Sequence, residues 1–357
     1  MSENDIHKYN SFIFKLKTYS SVIYNGNECL IQSKFQDIQE MISNAQKSLI
    51  EGNLSESSKL FRQVATNINE LYFKIEKKGS YNKKNSLNDL SGKEWLRHTK
   101  SWIIMDGKPS DIPREIKNHP ASFPPELIEY FIEYFTKKDG WVIDPFMGIG
   151  STAIACLNLN RNCWGTEINP KYFNYAFKRI EGRRIALNSS KDLTCKIINE
   201  DCRKLVNLHE KHKFPLIDFC ITSPPYWNIL ETSRGGVKST HKKRIENGLD
   251  EKYSNDPNDL GNFSNYKYYL NELEEIFNLI FKLLKFNGYL MIIVQNVRPK
   301  GGVMIPLAWD LAKILSKSYK LRQEFIWCQN QKQLGIWGYP KTYVSNVHHH
   351  YCLMFQK

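Results

Sequence analysis

The stretch Trp141-Val-Ile-Asp144-Pro145-Phe146-Met147-Gly148-Ile149-Gly150-Ser151-Thr152 sets the reading of this chain. Its first residues form a short apolar run closed by an acid, as in a buried strand, and the glycine-bearing turn leads straight into a helical stretch, Thr152–Leu159. Glycine permits a tight turn and close approach of backbone to a ligand, while a helix N-terminus offers free N–H donors. Outward from here the alternation repeats. Cys163–Glu167, Cys195–Asn199, Ile217–Thr222 and Tyr289–Val294 read as further buried strands, with Tyr172–Arg184 and Tyr266–Leu284 as helices. Such alternation means βαβ units. Two more strands, Leu321–Cys328 and Tyr351–Gln356, are separated by a Gly- and Pro-bearing segment (Gly335 to Pro340) without a helix, so they are expected to pair antiparallel. The expected fold is α/β: a seven-stranded, mostly parallel sheet with helices on both faces and an antiparallel final strand.

Two acids follow the glycine turn in series. Glu167 ends the next strand, about twenty residues on, where a carboxylate can accept from ribose hydroxyls, and Asp201 ends the third. Together with the turn they point to a nucleoside-containing cofactor. No GK[ST] sequence is present, which argues against a P-loop.

A second motif, Asp218-Phe-Cys-Ile-Thr-Ser223-Pro224-Pro225-Tyr226-Trp227, places a stiff turn at the carboxyl end of the fourth strand, the edge where open α/β sheets bind ligands. Successive prolines fix φ, and Pro225 also restricts Pro224. The Pro224 carbonyl and Ser223 hydroxyl become two aimed acceptors, and Tyr226 offers a flat face to an aromatic base. Such a site suits an exocyclic amine. Accepting both its hydrogens in fixed geometry pulls the nitrogen toward a tetrahedral form and frees its lone pair to attack.

The rest of the chain sets bounds. With 357 residues, the chain has room for one large α/β domain and an appendage. At 41% hydrophobic and 24% charged, wholesale disorder is excluded. No run approaches the roughly 18 apolar residues of a membrane span, and the eight cysteines form no CxxC pair, which argues against zinc knuckles and a disulfide framework. These features suggest a reduced, cytoplasmic protein. A formal charge of +13 favours a polyanionic partner, because neutralising phosphates releases counterions. Residues 1–90 lack proline and show helical spacing at Phe35, Ile38, Met41 and Ile42, and again from Leu60 to Tyr72, with a turn near Gly52-Asn53 and Ser55 or Ser57 as caps. They are expected to be a helical N-terminal appendage, joined by a polar linker (Lys77 to Asn88) to a catalytic domain over 91–357. Asn228 to Asn265 fits neither period and carries the basic run Lys238–Arg244. A loop this long beside a catalytic turn is expected to face the substrate. His348, His349 and His350 alternate faces on a strand, so no metal site is expected.

The pair of turns resembles the S-adenosylmethionine-dependent amino-methyltransferases of DNA, which carry a DPFxGxGT cofactor loop and an [SDN]PP[YFW] catalytic loop. The resemblance covers about Ser91 to Lys357 and implies a class I methyltransferase-like fold. It implies that Asp144, Pro145, Phe146, Gly148, Gly150, Ser151, Thr152 and Glu167 hold the cofactor, with Asp201 and Cys202 at its adenine. His119-Pro120-Ala121-Ser-Phe123-Pro124 looks like the family's motif for the methionine end. Ser223, Pro224, Pro225 and Tyr226 would be catalytic. The loop's Arg234, Lys238, Lys242, Lys243 and Arg244, with Trp227, would meet nucleic acid. Because SPPY accompanies cytosine N4 more often in this family, the resemblance implies N4-cytosine methylation of flipped bases in double-stranded DNA, beside a cognate restriction endonuclease. N6-adenine methylation, an RNA amino-methyltransferase and a non-catalytic nucleic-acid-binding subunit are the alternatives.

Overall fold

The structure, a computed structural model, describes residues 28–53, 55–57, 59–64, 82–105, 123–187, 193–227, 256–298, 303–330, 334, 336 and 339–357. The chain separates into two compact units, residues 1–80 and 81–357. In the first, helix α1 (Glu28–Ile50) ends at Gly52, whose φ of +79° lies in the left-handed region that glycine adopts without strain. Residues 55–57 and 59–64 are helical again. The cap of that second helix is Asn53, whose Oδ1 accepts from the Glu56 N–H at 3.2 Å. The expected Ser57 is not its cap: its hydroxyl donates back across the turn to the Ala45 carbonyl at 3.0 Å. The expected helix beyond Val64, and the linker before Asn82, fall outside the described residues.

The second unit opens with α2 (Gly92–Arg97), started by a reciprocal capping box between Ser91 and Glu94. Its elements then run β1 (Trp102–Ile104), α3 (Pro125–Phe135), β2 (Trp141–Asp144), α4 (Ser151–Asn158), β3 (Asn162–Thr166), α5 (Pro170–Ala186) and β4 (Cys195–Ile198). They continue with α6 (Leu205–His212), β5 (Ile217–Thr222), α7 (Tyr266–Leu283), β6 (Leu284–Val294), α8 (Leu307–Leu315), β7 (Lys320–Cys328) and β8 (His349–Gln356). One sheet holds all eight strands in the order β1-β7-β8-β6-β5-β2-β3-β4. Only β8 runs antiparallel, and it lies between β6 and β7. The α/β class and the antiparallel closing strand are as the sequence suggested. The sheet has one strand more than expected, because β1 adds to β7 in parallel. Three residues are too few to display a period.

Burial explains why the central strands read as unbroken apolar runs. In β6, Leu290, Ile292 and Val294 face one core and Met291 and Ile293 the other. Helices α7 and α8 cover the first face, and α3 and α4 the second. Local chemistry starts the helices. Asn265 caps α7 by accepting from the Tyr268 N–H at 3.0 Å, and Asn169 caps α5, whose first residue is Pro170. Among the described residues no helix is long and apolar enough to cross a membrane.

Candidate functional site

Chain order and strand order diverge at β2. Its neighbours are β3 on one side and β5 on the other, which makes the β2/β5 boundary a topological switch point. Val142 pairs with Phe219 and Ile143 with Cys220. The two motif-bearing turns therefore leave the sheet side by side.

One buried carboxylate joins them. Asp144 Oδ1 accepts from Thr222 Oγ1 at 2.5 Å and from the Phe146 N–H at 3.0 Å, while its Oδ2 accepts from Thr152 Oγ1 at 2.6 Å. The end of β2, the start of α4 and the residue before Ser223 thus share one acceptor group. Burial pushes the Asp144 carboxyl up to about 6, against the pull of the two threonines and Phe146.

The turn itself needs two left-handed glycines, Gly148 at φ +55° and Gly150 at φ +83°. The Gly148 N–H donates to Glu167 Oε2, and the Asn169 N–H to Glu167 Oε1, both at 2.8 Å. Each oxygen keeps a second lone pair for a ligand donor. Desolvation raises the Glu167 carboxyl to about 7, and Asp259 and Asp144 add repulsion. Gly165, two residues earlier in β3, is a position that sequence reading passed over. A methyl group there would lie 2.1 Å from the Asp144 carbonyl oxygen and 2.5 Å from Met147 Cε. The signal was a glycine inside a strand pattern, which marks close backbone approach. A Gly165→Ala protein is expected to lose about 3 kcal/mol of stability in urea unfolding, because the obstacle is backbone of the adjoining strand.

Both turns line a single open cleft. From the first come Asp144, Pro145, Phe146, Gly148, Ser151 and Thr152; from the second come Ser223, Pro224 and Pro225. Phe123, Glu167, Asp201 and Cys202 complete the expected set found there. Gly150 sits behind the cleft wall, where it caps α4, and Pro124 is buried at the start of α3. Asp201 caps the short turn Cys202–Lys204 and pairs with Arg203. His119, Pro120 and Ala121, and also Arg234, Lys238, Lys242, Lys243 and Arg244, lie outside the described residues.

The Pro-Pro turn has a definite polarity. The Pro225 carbonyl accepts from Tyr269 Oη at 2.5 Å and from the Trp227 N–H at 2.9 Å. The Pro224 carbonyl accepts from no group among the described residues. Trp227 closes the turn at φ +51°, a left-handed conformation that costs a non-glycine residue roughly 1–2 kcal/mol. An edge contact with Tyr266, centroids 5.3 Å apart, packs its ring. Tyr226 departs from the sequence picture of an open stacking face. It is 8% exposed, its hydroxyl accepts from Ser223 Oγ at 3.2 Å, and it reaches the Ile293 carbonyl at 3.4 Å. Of the three histidines, His350 is buried and stacks on Trp327 at 4.5 Å. Among the described residues no group of three His, Cys, Asp or Glu is placed to hold a metal.

The cleft also has a wall that the motifs did not announce. Asn258, Asp259 and Leu260 line it together with Glu167 and Arg203, and the Arg203 guanidinium donates to the Asn258 carbonyl. In the sequence these residues were only the tail of a polar stretch.

Comparison with known proteins gives the cleft a context. Type II methyltransferase M.BglI of Bacillus subtilis is 36% identical over 103 residues, 28% of each chain. M.XycI of Xanthomonas campestris pv. cyanopsidis is 40% identical over 65 residues, 18% of this chain and 22% of the relative. The orphan methyltransferase M.BamHII of Bacillus amyloliquefaciens is 40% identical over 82 residues, 22% of this chain and 31% of the relative. The chain thus spans less than a third of the length of these relatives. Among solved structures, precorrin-6y C5,15-methyltransferase of Geobacter metallireducens GS-15 aligns at 14% identity and a TM-score of 0.38. That alignment covers 71% of this chain and 98% of that one. A SAM-dependent methyltransferase of Agrobacterium tumefaciens aligns at 12% identity and 0.38, over 65% and 60%. A DNA methylase family model matches residues 4–178 and 217–357. With most of its length covered, and both turns within the matched spans, the chain belongs to the N6/N4 DNA methylase family, whose members depend on S-adenosylmethionine.

Proposed function

We propose that this protein methylates the exocyclic N4 amine of cytosine in double-stranded DNA, as the modification partner of a restriction endonuclease. The observation that supports this most is the single cleft: the cofactor-type turn and the Ser-Pro-Pro turn border one space and share the Asp144 carboxylate. The choice of cytosine over adenine rests on Ser223 opening the turn.

The cleft residues fit S-adenosylmethionine. Glu167 and Asp201, at the ends of adjacent strands, provide acceptors for ribose hydroxyls and an adenine amine, and Phe146, Ile168 and Leu260 provide apolar flanks. When bound, that cofactor supplies a methyl group on positively charged sulfur. The protein's own part is positioning. A flipped base would bring its amine to Ser223 Oγ and the Pro224 carbonyl, each accepting one N–H, and unstacking it costs roughly a few kcal/mol. The two prolines hold the acceptors in place without a conformational search.

Incubation of the purified protein with isotopically labelled S-adenosylmethionine and duplex DNA, then nucleoside mass spectrometry, tests the proposal. N4-methylcytosine is expected. N6-methyladenine would replace the base assignment, and label in RNA alone would replace the substrate.

A pH dependence accompanies this reading. A ribose hydroxyl donates best to ionised Glu167, whose carboxyl sits at about 7 in the free protein. Affinity for the product analogue S-adenosylhomocysteine is therefore expected to rise about tenfold from pH 6 to pH 8, as the ionised fraction grows from about a tenth to nine-tenths. Calorimetry at both pH values measures this, and Glu167→Gln should flatten the profile. Stability moves the other way. A carboxyl raised in the folded state binds more protons there than in the unfolded chain, so Glu167 lowers stability as pH climbs from about 4.5 to 7.

A further inference from the structure

Arg203 makes contacts that neither motif accounts for. Its Nη1 donates to Asp201 Oδ2 at 2.7 Å and to the Asn258 carbonyl at 3.1 Å, and its Nε donates to Glu272 Oε2 at 2.8 Å. Its own N–H donates to Asp201 Oδ1 at 2.8 Å. One guanidinium therefore ties together the turn after β4, helix α7 and the chain at residue 258. Both carboxylates are largely sheltered, with side-chain exposures of 19% for Asp201 and 16% for Glu272, so solvent screens these pairs less than an open surface pair.

The part of the chain it holds is itself well formed. Asp256 accepts from the Asn258 N–H through Oδ1 and from Asn262 Nδ2 through its carbonyl, each at 2.8 Å. Asp259 caps the short turn Leu260–Asn262 by accepting from the Gly261 N–H at 2.9 Å. Leu260 is 3% exposed and belongs to the same buried core as Tyr269. Residues 256–262 are thus an internally bonded unit, and the Leu260 side chain and Arg203 are among its attachments to the body. Its members Asn258 to Leu260 line the same cleft as Glu167.

We infer that Arg203 is a positioning residue for the adenosine half of the cofactor. It fixes the 258–260 wall at the correct distance from the Asp201 carboxylate and holds that carboxylate in one orientation. The inference rests on the reading of this cleft as the S-adenosylmethionine site. Arginine suits the task because a planar fork can reach two carboxylates and a carbonyl together; a lysine ammonium in the same place is a point charge on a flexible stem.

The test is calorimetric binding of S-adenosylhomocysteine to the full chain, with cofactor-dependent kinetics on duplex DNA alongside. Arg203→Lys is expected to weaken binding about tenfold and Arg203→Met nearer a hundredfold, the range for losing one or two charge-assisted hydrogen bonds. Glu272→Gln, which loosens the clasp without touching the cleft lining, should weaken it several-fold. Lys317→Met is the matched control, since Lys317 pairs at 2.9 Å with Glu274, also on α7 but not lining the cleft, and its side chain is 65% exposed. In turnover, the loss should fall on KM for S-adenosylmethionine with little on kcat, a division that general loosening of the fold would not produce. Arg203→Lys and Glu272→Gln proteins that bind as tightly as the unchanged protein would overturn the inference while leaving the reading of the cleft intact. An unchanged protein that binds no S-adenosylhomocysteine would overturn both.

Discussion

An Asp144→Ala protein is expected to lose methyl transfer below detection and to unfold with about 3–5 kcal/mol less free energy. The carboxylate accepts three hydrogen bonds at a site that is 5% exposed, and the donors themselves are buried: Thr152 at 4% and Thr222 at 3%. Removing the acceptor strands two hydroxyls and a backbone N–H away from water, each at about 1–3 kcal/mol, partly relieved where a threonine finds another acceptor. The activity loss follows from geometry. Thr222 immediately precedes Ser223, so its bond to Asp144 sets how far the acceptor turn stands from the cofactor turn, and misplacement of about 1 Å costs about a hundredfold in rate. Asp144→Asn separates anchoring from charge. A carboxamide keeps the size and one acceptor, and a threonine hydroxyl can rotate to accept from its NH2. This variant is expected to retain most of the stability and a measurable rate. Because burial raises Asp144 to about 6, the native carboxyl lowers stability as pH rises from about 4 to 6. Urea unfolding at pH 4 and pH 7.5 should show the Asn variant losing less stability than the unchanged protein across that interval.

The same carboxylate shows what a sequence can and cannot reveal. Asp144 is visible as the acid closing an apolar run, and the resemblance implies a cofactor contact for it. That it also binds Thr222 depends on β2 and β5 becoming neighbours, a pairing between residues 78 positions apart that no local period encodes. The central strands were legible because both their faces are buried, so apolar residues accumulate without interruption. Helices α3, α6 and α8 are harder to read from sequence. Each is 8 to 11 residues long, and two of them begin at or beside proline, which reads as a break although it suits a helix's first turn. Strand β1 is held by hydrogen bonds to β7 and by Trp327 Nε1 donating to the Met105 carbonyl at 2.9 Å, contacts supplied by a strand more than two hundred residues away. The wall at 258–260 was hidden for a further reason. Its stiffness comes from Asx turns whose members look, in sequence, like any polar loop.

Tyr226 carries the second large expected effect. Its ring lies in the core beneath the acceptor turn, among residues that include Tyr269 and Leu290, and His350 lies 6.1 Å from it. A Tyr226→Ala protein should therefore lose about 3–5 kcal/mol through the cavity left by a buried ring, and transfer should fall about a thousandfold as the turn loses its floor. Tyr226→Phe divides this effect by cause. It keeps the ring, so stability should fall by about 1 kcal/mol, but it removes the oxygen that Ser223 donates to. In the native arrangement the Ile293 carbonyl can only accept, so the tyrosine proton points there and the serine proton points to the tyrosine. The lone pairs of Ser223 are left for an amine. Without the tyrosine oxygen the serine hydroxyl rotates freely and presents its hydrogen to the amine part of the time, for an expected loss of about tenfold in single-turnover rate. If the ring acted only by stacking on the base, the Phe variant would react at the native rate, and the Ala variant would lose DNA affinity with its single-turnover rate at saturating DNA unchanged. A tenfold slower Phe variant at saturating DNA would instead place Tyr226 among the groups that orient Ser223.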